Sequence, residues 1–277
     1  MRQWTLGLAL LCLAWPALTA SARADCAVKA PPGLVSQGSL TVGSNMATPP
    51  QMFIDKGEPA GFEIDLVKAI AAKMCLKPVL VNISFAGLFP GLVAHKFDYI
   101  TSGLGITAQR EQVFDFVPNL WGGIQLVVRK DSNLSFKNES ELCGLSVATV
   151  TGTTQAKALE RANQTVCKPG KMIALRYFPS FNDAVIQLQK RSADVAFVDW
   201  AFASYVTAMM PGLKLASPIL SSRPDMPRDK MGMAFRKGDK AIVDAVGAAM
   251  TAVEKSGEYE KLLDTWHMRQ GDVRKPV

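Results

Sequence analysis

An arginine that follows a glycine-rich loop is the most informative chemical feature of this sequence. Residues 102–107 read Ser-Gly-Leu-Gly-Ile-Thr, and Arg110 stands three positions after Thr107. Glycine lets backbone N–H groups approach a ligand, and a threonine that caps a short helix at residues 108–112 leaves further N–H groups unpaired. A guanidinium carries five fixed donors, and a helix start is the positive end of the helix dipole. These residue types predict a carboxylate site; the alternative is an ordinary surface arginine.

Four other loops carry polar or aromatic side chains directly after a predicted strand. Ligands of open α/β sheets bind at the carboxyl ends of the strands, where these loops meet. A Gly-Thr-Thr helix start offers hydroxyl and N–H groups to an anion, and an aspartate at a helix start is either an N-cap or a partner for an ammonium group. Singly, each residue more often packs or caps, but five such loops together favour a binding site. The residues are Asn45, Thr48, Phe85, Thr154 and Asp199, after strands predicted at 40–43, 78–83, 145–149 and 195–198.

The combined pattern resembles a known protein family. The loop at residues 102–110, followed by Phe-Asp-Phe at 114–116, is similar to the ligand loop of periplasmic amino-acid-binding proteins of ABC transporters, the bacterial solute-binding protein family 3. The resemblance extends over nearly the whole chain from residue 25 onward. Its other segments are Gly-Phe-Glu-Ile-Asp-Leu at 61–66, the turn from Phe85 to Pro90, Gly-Thr-Thr-Gln at 152–155, Ala-Asp-Val-Ala-Phe-Val-Asp at 193–199 and Phe-Arg-Lys-Gly-Asp at 235–239.

The resemblance implies a role for each residue of the site. A ligand that bridges two lobes would favour a closed state, which the transporter permease recognises. The implied partners are an amino acid or amino-acid derivative and that permease, with the protein acting as a monomer in the periplasm. The implied contacts are Arg110 and Thr154 on the α-carboxylate, Ser102 and Gly103 beside it, Asp199 on the α-ammonium, and Phe85 stacked on the ligand side chain.

Three positions depart from the family pattern. Asn45 stands where the family often has an acid, Thr48 where it often has an aromatic residue, and Gly105 where it usually has serine or threonine. These departures leave the expected fold unchanged. They indicate a ligand that is larger than a common amino acid or a derivative of one, and they disfavour a cationic side chain.

Predicted strands and helices alternate through two successive blocks of the chain. In the first block, strands at 40–43, 78–83 and 98–101 alternate with helices at 62–74 and 88–94. The second block has strands at 124–129, 145–149, 172–177 and 195–198 and helices at 155–162, 182–189 and 200–209, and a strand at 231–236 and two helices over 241–266 follow. This order predicts an α/β fold with mainly parallel sheets. The family resemblance implies that this α/β chain adopts the two-lobed periplasmic binding protein fold of type II. Lobe 1 is then expected at 25–123 and 225–277 and lobe 2 at 124–224, with two hinge crossings between them.

The N-terminus has the features of a secretory signal peptide. Arg2 precedes an apolar run at residues 6–15, and Ala-Arg-Ala at 22–24 predicts cleavage before Asp25. Without Arg2 and Arg23, the net charge of +7 falls to +5. The remaining charges are scattered, which gives no reason to expect nucleic-acid binding.

Four cysteines follow the predicted signal peptide: Cys26, Cys75, Cys143 and Cys167. An even number in an exported chain indicates disulfides, and four cysteines allow three pairings. We prefer Cys143–Cys167 within one lobe, with Cys26–Cys75 fixing the N-terminal arm. A metal site is disfavoured because there is no Cys-x-x-Cys and the two histidines stand apart. We expect no metal and no cofactor.

Two other functional classes fit the same pattern less well. Periplasmic cyclohexadienyl or arogenate dehydratases resemble these binding proteins, and their pocket carboxyl acts as a general acid with a raised pKa. In this sequence Asp199 is the only evident pocket carboxyl, and an ammonium partner would lower its pKa instead. A sensor module would need a separate signalling partner. We therefore expect a binding protein rather than an enzyme.

Overall fold

The computed structural model of this protein describes residues 26–221 and 228–276. The predicted signal peptide, residues 1–24, lies outside the described residues, and so does the predicted lobe boundary between residues 224 and 225. In the described part of the chain, no helix has both the length and the apolar character needed to cross a membrane.

Strands and helices alternate along most of the described chain. The strands are β1 (Ser39–Ser44), β2 (Ala47–Thr48), β3 (Met52–Asp55), β4 (Glu58–Ala60), β5 (Lys77–Asn82), β6 (Tyr99–Ile100), β7 (Phe114–Trp121), β8 (Ile124–Arg129), β9 (Ser146–Val150), β10 (Ala174–Phe178), β11 (Val195–Asp199), β12 (Leu213–Leu215) and β13 (Lys230–Arg236). The α-helices are α1 (Phe62–Lys73), α2 (Phe85–Val93), α3 (Ala108–Glu111), α4 (Thr154–Thr165), α5 (Phe181–Gln189), α6 (Trp200–Met209), α7 (Lys240–Lys255) and α8 (Glu258–Thr265).

Each lobe is built on a five-stranded sheet. The first has the order β5-β1-β6-β13-β7, in which β1 pairs in parallel with β5 and β6 while β13 runs antiparallel to β6 and β7. The second has the order β10-β9-β11-β8-β12, with β9 parallel and β8 antiparallel to their neighbours. The two-lobed α/β prediction is confirmed, but both sheets are mixed rather than mainly parallel. Strands β7, β8 and β13 adjoin the crossings, where the chain lacks the helical connection that a parallel pair requires.

The core of the first lobe explains why α1 forms where the sequence predicts it. Phe62, Leu66 and Ile70 recur at helical spacing and are buried against the sheet. Tyr259 of α8 meets the Phe62 ring edge-on, with centroids 5.9 Å apart, and its hydroxyl donates to the Asn119 carbonyl at 2.8 Å. Burial of each such large side chain contributes about 1.5–3 kcal/mol. The helices are thereby fixed to β7, the strand that leads into the hinge.

Strand β7 is the largest element that the sequence analysis misses. Pro118 and Asn119 interrupt its pattern, because proline removes a ladder donor and asparagine is uncommon in strands. Opposite this pair the register of β13 shifts between Met231 and Gly232, which is a β-bulge. The bulge accommodates residues that local propensity excludes from a strand. The small sheet β2-β3-β4 and the short strand β12 are also absent from the prediction.

The cysteines form the two pairs that the sequence analysis prefers. Cys26 and Cys75 have Cα atoms 5.5 Å apart, and Cys143 and Cys167 have the same separation. Beside the first pair, the amide of Val28 donates to the Lys73 carbonyl at 3.0 Å. The N-terminal arm is therefore held against the end of α1, while the second pair ties the start of β9 to the end of α4.

The crossing after β7 brings both lobes to one narrow hinge. Gly122 N donates to the Asp229 carbonyl at 2.6 Å, and Ile124 N donates to the Leu220 carbonyl at 2.7 Å. The indole N–H of Trp200, the first residue of α6, donates to the Trp121 carbonyl at 3.2 Å. We propose this crossing as the first boundary between the lobes, at residues 123 and 124.

Candidate functional site

All nine residues predicted for the site line one cavity between the lobes. The first lobe contributes seven of them and the second lobe two. They are Asn45, Thr48, Phe85, Ser102, Gly103, Gly105 and Arg110 from the first lobe, and Thr154 and Asp199 from the second. The sequence analysis misses the other lining residues, which are Gln51, Val150, Thr153, Gln155, Pro179, Ser180 and Phe181. Three of these follow β10, so the rule that predicted the other loops could have found them.

Arg110 lies at the cavity in the local structure that its sequence predicts. The Thr107 hydroxyl accepts a hydrogen bond from Arg110 N at 3.2 Å and caps α3. Nη1 of Arg110 donates to the Gly105 carbonyl at 2.8 Å, and Cζ lies 5.0 Å from the centre of the Phe89 ring. Burial lowers the pKa of Arg110 to about 10, so the group remains a cation at neutral pH. The guanidinium therefore has internal partners, which the sequence did not reveal.

Asp199 is an N-cap, which is one of the two roles that the sequence left open. Its Oδ1 accepts from Ala201 N at 2.9 Å and caps α6. Its Oδ2 is buried and has no hydrogen-bond partner among the described residues. Burial raises the pKa of Asp199 to about 7, and the charge of Glu63 adds to this while the backbone contacts and Arg228 oppose it. The predicted lowering of its pKa applies to a bound ammonium partner and stays a prediction; in the protein alone, burial raises the pKa.

Phe85 occupies the first turn of a helix rather than a loop mouth. Helix α2 begins at Phe85, three residues earlier than predicted, so Pro90 lies inside the helix instead of near its start. The Phe85 ring packs partly against the cluster that contains Leu88 and Phe97. It therefore combines the core role and the cavity role that the sequence presented as alternatives.

The turn at Ser102 and Gly103 is hydrogen-bonded on its inner side. Gly103 has a φ of 58°, in the left-handed region, and its N–H donates to Glu63 Oε1 at 3.0 Å and Oε2 at 3.2 Å. The Ser102 hydroxyl accepts from Asn45 N at 3.1 Å. The Gly103 N–H is therefore not free to bind a ligand, contrary to the sequence-based expectation. Glu63 lies within the motif at residues 61–66, and the sequence predicted no role for it.

Close contacts between the lobes surround the cavity. Lys157 Nζ donates to Gln109 Oε1 at 2.7 Å across the cleft, and Asn182 Nδ2 donates to the Ala47 carbonyl at 3.3 Å. These hydrogen bonds join the two lobes beside the cavity.

Gly105 permits the close approach of the lobes. A Cβ atom on Gly105 would lie 2.9 Å from Cγ2 of Thr154 in the opposite lobe, closer than such atoms normally come. Gly105 stands where the family usually has a serine or threonine hydroxyl. In the structure, the Thr154 side chain lies against Gly105, where a larger residue would place its own side chain.

The sequence of residues 40–269 matches the bacterial extracellular solute-binding proteins, family 3. The chain belongs to this family. Among its relatives is the ABC transporter arginine-binding protein 1 of Escherichia coli (strain K12), which is 26% identical over 235 residues, 84% of this chain and 93% of that protein.

Solved structures of similar proteins share the two-lobed architecture. Holo ArgBP from T. maritima is 33% identical, with a TM-score of 0.71 over 83% of this chain and 96% of its own. An ancestral arginine-binding protein bound to glutamine is 28% identical, with a TM-score of 0.75 over 84% of this chain and all of its own.

Ionisable groups are sparse in the cavity of this solute-binding protein. Among the described lining residues, Arg110 is the one cation and Asp199 the one acid. No group of three or more metal-ligating side chains that could hold an ion occurs in the described ranges. The site therefore presents one charge of each sign, from opposite lobes, within a polar surround.

Proposed function

We propose that this protein captures an amino acid between its lobes and delivers it to the permease of an ABC transporter. One observation carries the proposal: a partly buried cation from the first lobe and a buried carboxylate from the second, one oxygen of which has no hydrogen-bond partner among the described residues, line the same cavity. A zwitterion has the two charges that would complement them. Arg110, with Thr154, binds the α-carboxylate, and Asp199 Oδ2 accepts from the α-ammonium.

The remaining predicted residues complete this site. Phe85 contacts the ligand side chain, and Asn45 and Thr48 lie beside it. The Ser102 hydroxyl lies beside the ligand carboxylate. Gly103 and Gly105 allow the ligand to approach the backbone. These assignments agree with the position of each residue on the cavity wall.

We further propose that the ligand carries a neutral side chain. Arg110 and Asp199 balance the two charges of the amino-acid backbone, so a cationic side chain would need a second acid. Asn45, whose Nδ2 donates to the Ile83 carbonyl at 3.0 Å, supplies only a neutral amide at this wall. Burial of an unpaired charge costs several kcal/mol. This distinguishes the chain from its relatives that are named for arginine.

Ligand binding drives closure because the partners lie on different lobes. A ligand that contacts Arg110 and Asp199 together does so only in the closed form, and it shifts the population towards that form. The permease then recognises the closed surface. We place the mature protein in the periplasm, because the family is extracellular and residues 1–24 have the pattern of a cleaved signal peptide. That it acts as a monomer rests on the family resemblance alone.

Thermal shift and calorimetry test the proposal directly. Purified protein is screened with the common L-amino acids, since a ligand that binds the native state raises the melting temperature. We expect L-glutamine and other neutral amino acids to bind more tightly than L-arginine. Glutamine analogues that lack the α-amino or the α-carboxylate group are the controls and should not bind. The absence of any stabilising amino acid would refute the function, and tightest binding of L-arginine would refute the neutral side chain.

Asn45→Asp tests the charge argument at one position. The variant supplies the second acid that a cationic side chain requires, so the affinity for L-arginine should rise relative to that for L-glutamine, by about tenfold or more. Thr48→Ser, a neutral change on the same wall, is the matched control. An unchanged ratio of the two dissociation constants would show that Asn45 does not face the ligand side chain.

One observation is shared with the dehydratase alternative. The raised pKa of Asp199, about 7, is a property that a general acid needs. We nevertheless propose binding without catalysis, because an ammonium group at Oδ2 would keep Asp199 ionised. Incubation with prephenate or arogenate should give no aromatic product by ultraviolet absorbance, and turnover abolished in Asp199→Asn would establish the enzyme.

A further inference from the structure

Glu63 is a carboxyl group buried directly behind the glycine-rich loop. It lies in the first turn of α1 and is 0% exposed. Its Oε2 accepts from the Thr101 hydroxyl at 2.6 Å, and its Oε1 accepts from Gly103 N at 3.0 Å. It does not line the cavity, yet both of its partners belong to the segment that does.

No cation pairs with Glu63 among the described residues. A buried acid normally has an ion pair, because hydrogen bonds alone only partly offset its desolvation. Burial therefore raises the pKa of Glu63 to about 7, against the hydrogen bonds from Thr101, Gly103 and Asn119. The other titratable groups that sense its charge are Tyr99 and Asp199. An apolar residue at this position would leave the Gly103 N–H and the Thr101 hydroxyl without their acceptor.

The group that Glu63 holds is the turn that supplies Ser102 and Gly103 to the cavity. Gly103 adopts a left-handed backbone conformation, so its N–H points to the interior rather than to the cavity, and Glu63 satisfies it. Ser102 in turn accepts from Asn45 N, which connects this turn to the loop after β1. Displacement of the turn would move the cavity wall at all three residues.

We propose that Glu63 is a positioning residue of the amino-acid site: its carboxylate fixes the turn at Ser102 and Gly103 in the conformation that lines the cavity, and so sets the affinity for the ligand. The proposal rests on the proposed function for the identity of the ligand. It assigns Glu63 no contact with the ligand. The side chain acts through the backbone of Gly103 and the hydroxyl of Thr101.

Stability and affinity should change in opposite directions when Glu63 is neutralised. At pH 8 the carboxyl group is ionised in the interior, so Glu63→Gln, which keeps its shape, should raise the melting temperature of the ligand-free protein. The amide can accept from Gly103 N with only one oxygen and presents a donor to Thr101. The affinity for L-glutamine should therefore fall by about tenfold or more. A purely structural role would lower both quantities.

Asp65→Asn is the matched control for these measurements. Asp65 lies two residues further along α1 and pairs with Lys68 at 3.0 Å and with the Trp266 indole at 3.1 Å, away from the cavity. In calorimetry at pH 8 with L-glutamine and L-arginine as probes, the dissociation constants of this variant should lie within about twofold of those of the wild type. Glu63→Gln binding within the same margin would overturn the proposal.

A measurement without ligand separates this proposal from the proposed function. In the ¹⁵N-labelled wild type, the Gly103 amide proton should shift with pH as Glu63 ionises, and the shift should vanish in Glu63→Gln but persist in Asp65→Asn. A Gly103 amide resonance with the same chemical shift in Glu63→Gln as in the wild type would overturn the proposal. If the wild type binds neither probe, the proposed function fails, and the Gly103 resonance still decides whether Glu63 holds the turn.

Discussion

Replacement of Arg110 by alanine is the most direct test of the site. The side chain supplies the one cation among the described residues of the cavity wall. One of its five N–H groups, on Nη1, donates to the Gly105 carbonyl at 2.8 Å, which leaves four N–H groups for a ligand. A carboxylate needs two of these for a bidentate contact. Arg110→Ala removes the counter-charge and leaves the ligand carboxylate between closed lobes without a partner.

The magnitude follows from the hydrogen bonds that the ligand carboxylate would no longer accept. Two hydrogen bonds to a charged group contribute about 1.5–3 kcal/mol each. Truncation of one partner of a buried charge pair costs roughly 2–5 kcal/mol. The dissociation constant should therefore rise by about thirty-fold to several-thousand-fold. Arg110→Lys should recover only part of this affinity, because an ammonium group cannot reproduce the planar fork.

The ligand-free fold should tolerate the change. Arg110→Ala removes the hydrogen bond to Gly105 and the approach to the Phe89 ring, about 1–2 kcal/mol together. It also relieves the desolvation that lowers the pKa of Arg110, and the two effects oppose each other. Thermal unfolding without ligand should thus differ little from the wild type.

Titration calorimetry with L-glutamine and L-arginine measures the effect on binding. Arg176→Ala is the control, because Arg176 is a β10 guanidinium away from the cavity that donates to the Ser146 hydroxyl at 2.9 Å. The reasoning is refuted if Arg110→Ala binds the tighter of the two within about twofold of the wild type. That result would remove the carboxylate site and with it the main reason to propose an amino acid.

Three further predictions concern closure and pH. Gly105→Ala should weaken amino-acid binding by about tenfold in calorimetry, because the added Cβ meets Thr154 at 2.9 Å, whereas Gly247→Ala, whose Cβ would approach Val117 no closer than 3.8 Å, should not. Saturating L-glutamine should reduce the radius of gyration in small-angle scattering, and an unchanged profile with binding confirmed would count against hinge closure. The folded pKa values of Glu63 and Asp199 are about 7, above their ordinary values of 4.5 and 3.8. At a pH between the ordinary and the folded values, the native state therefore binds more protons than the unfolded state. The free energy of unfolding should therefore fall by a few kcal/mol as the pH rises from about 5 to about 7.5, measured by urea denaturation, and a rise would contradict both shifts.

The features that the sequence by itself determined are local ones. Thr107 caps α3 and places Arg110 because a cap and the residue three positions later are joined by one hydrogen bond. Asp199 caps α6 through a similar local hydrogen bond, from the amide two positions later. The alternation of strands and helices indicated which loops follow the carboxyl ends of strands, where α/β proteins bind ligands. On that basis the sequence predicted one site with residues from Asn45 to Asp199, and these residues line one cavity. Each of these inferences depends on spacings of a few residues, which a single sequence records.

Contacts between distant residues were decided by the tertiary structure alone. Glu63 and Gly103 are 40 positions apart, and only the packing of α1 behind the loop turns the Gly103 N–H away from the ligand. The strand β7 forms despite Pro118 because a bulge opposite β13 absorbs the interruption. The raised pKa of Asp199 depends on burial, which no spacing encodes. Desolvation and packing are properties of the assembled lobes, so the sequence could predict which residues meet but not which of their polar groups remain free.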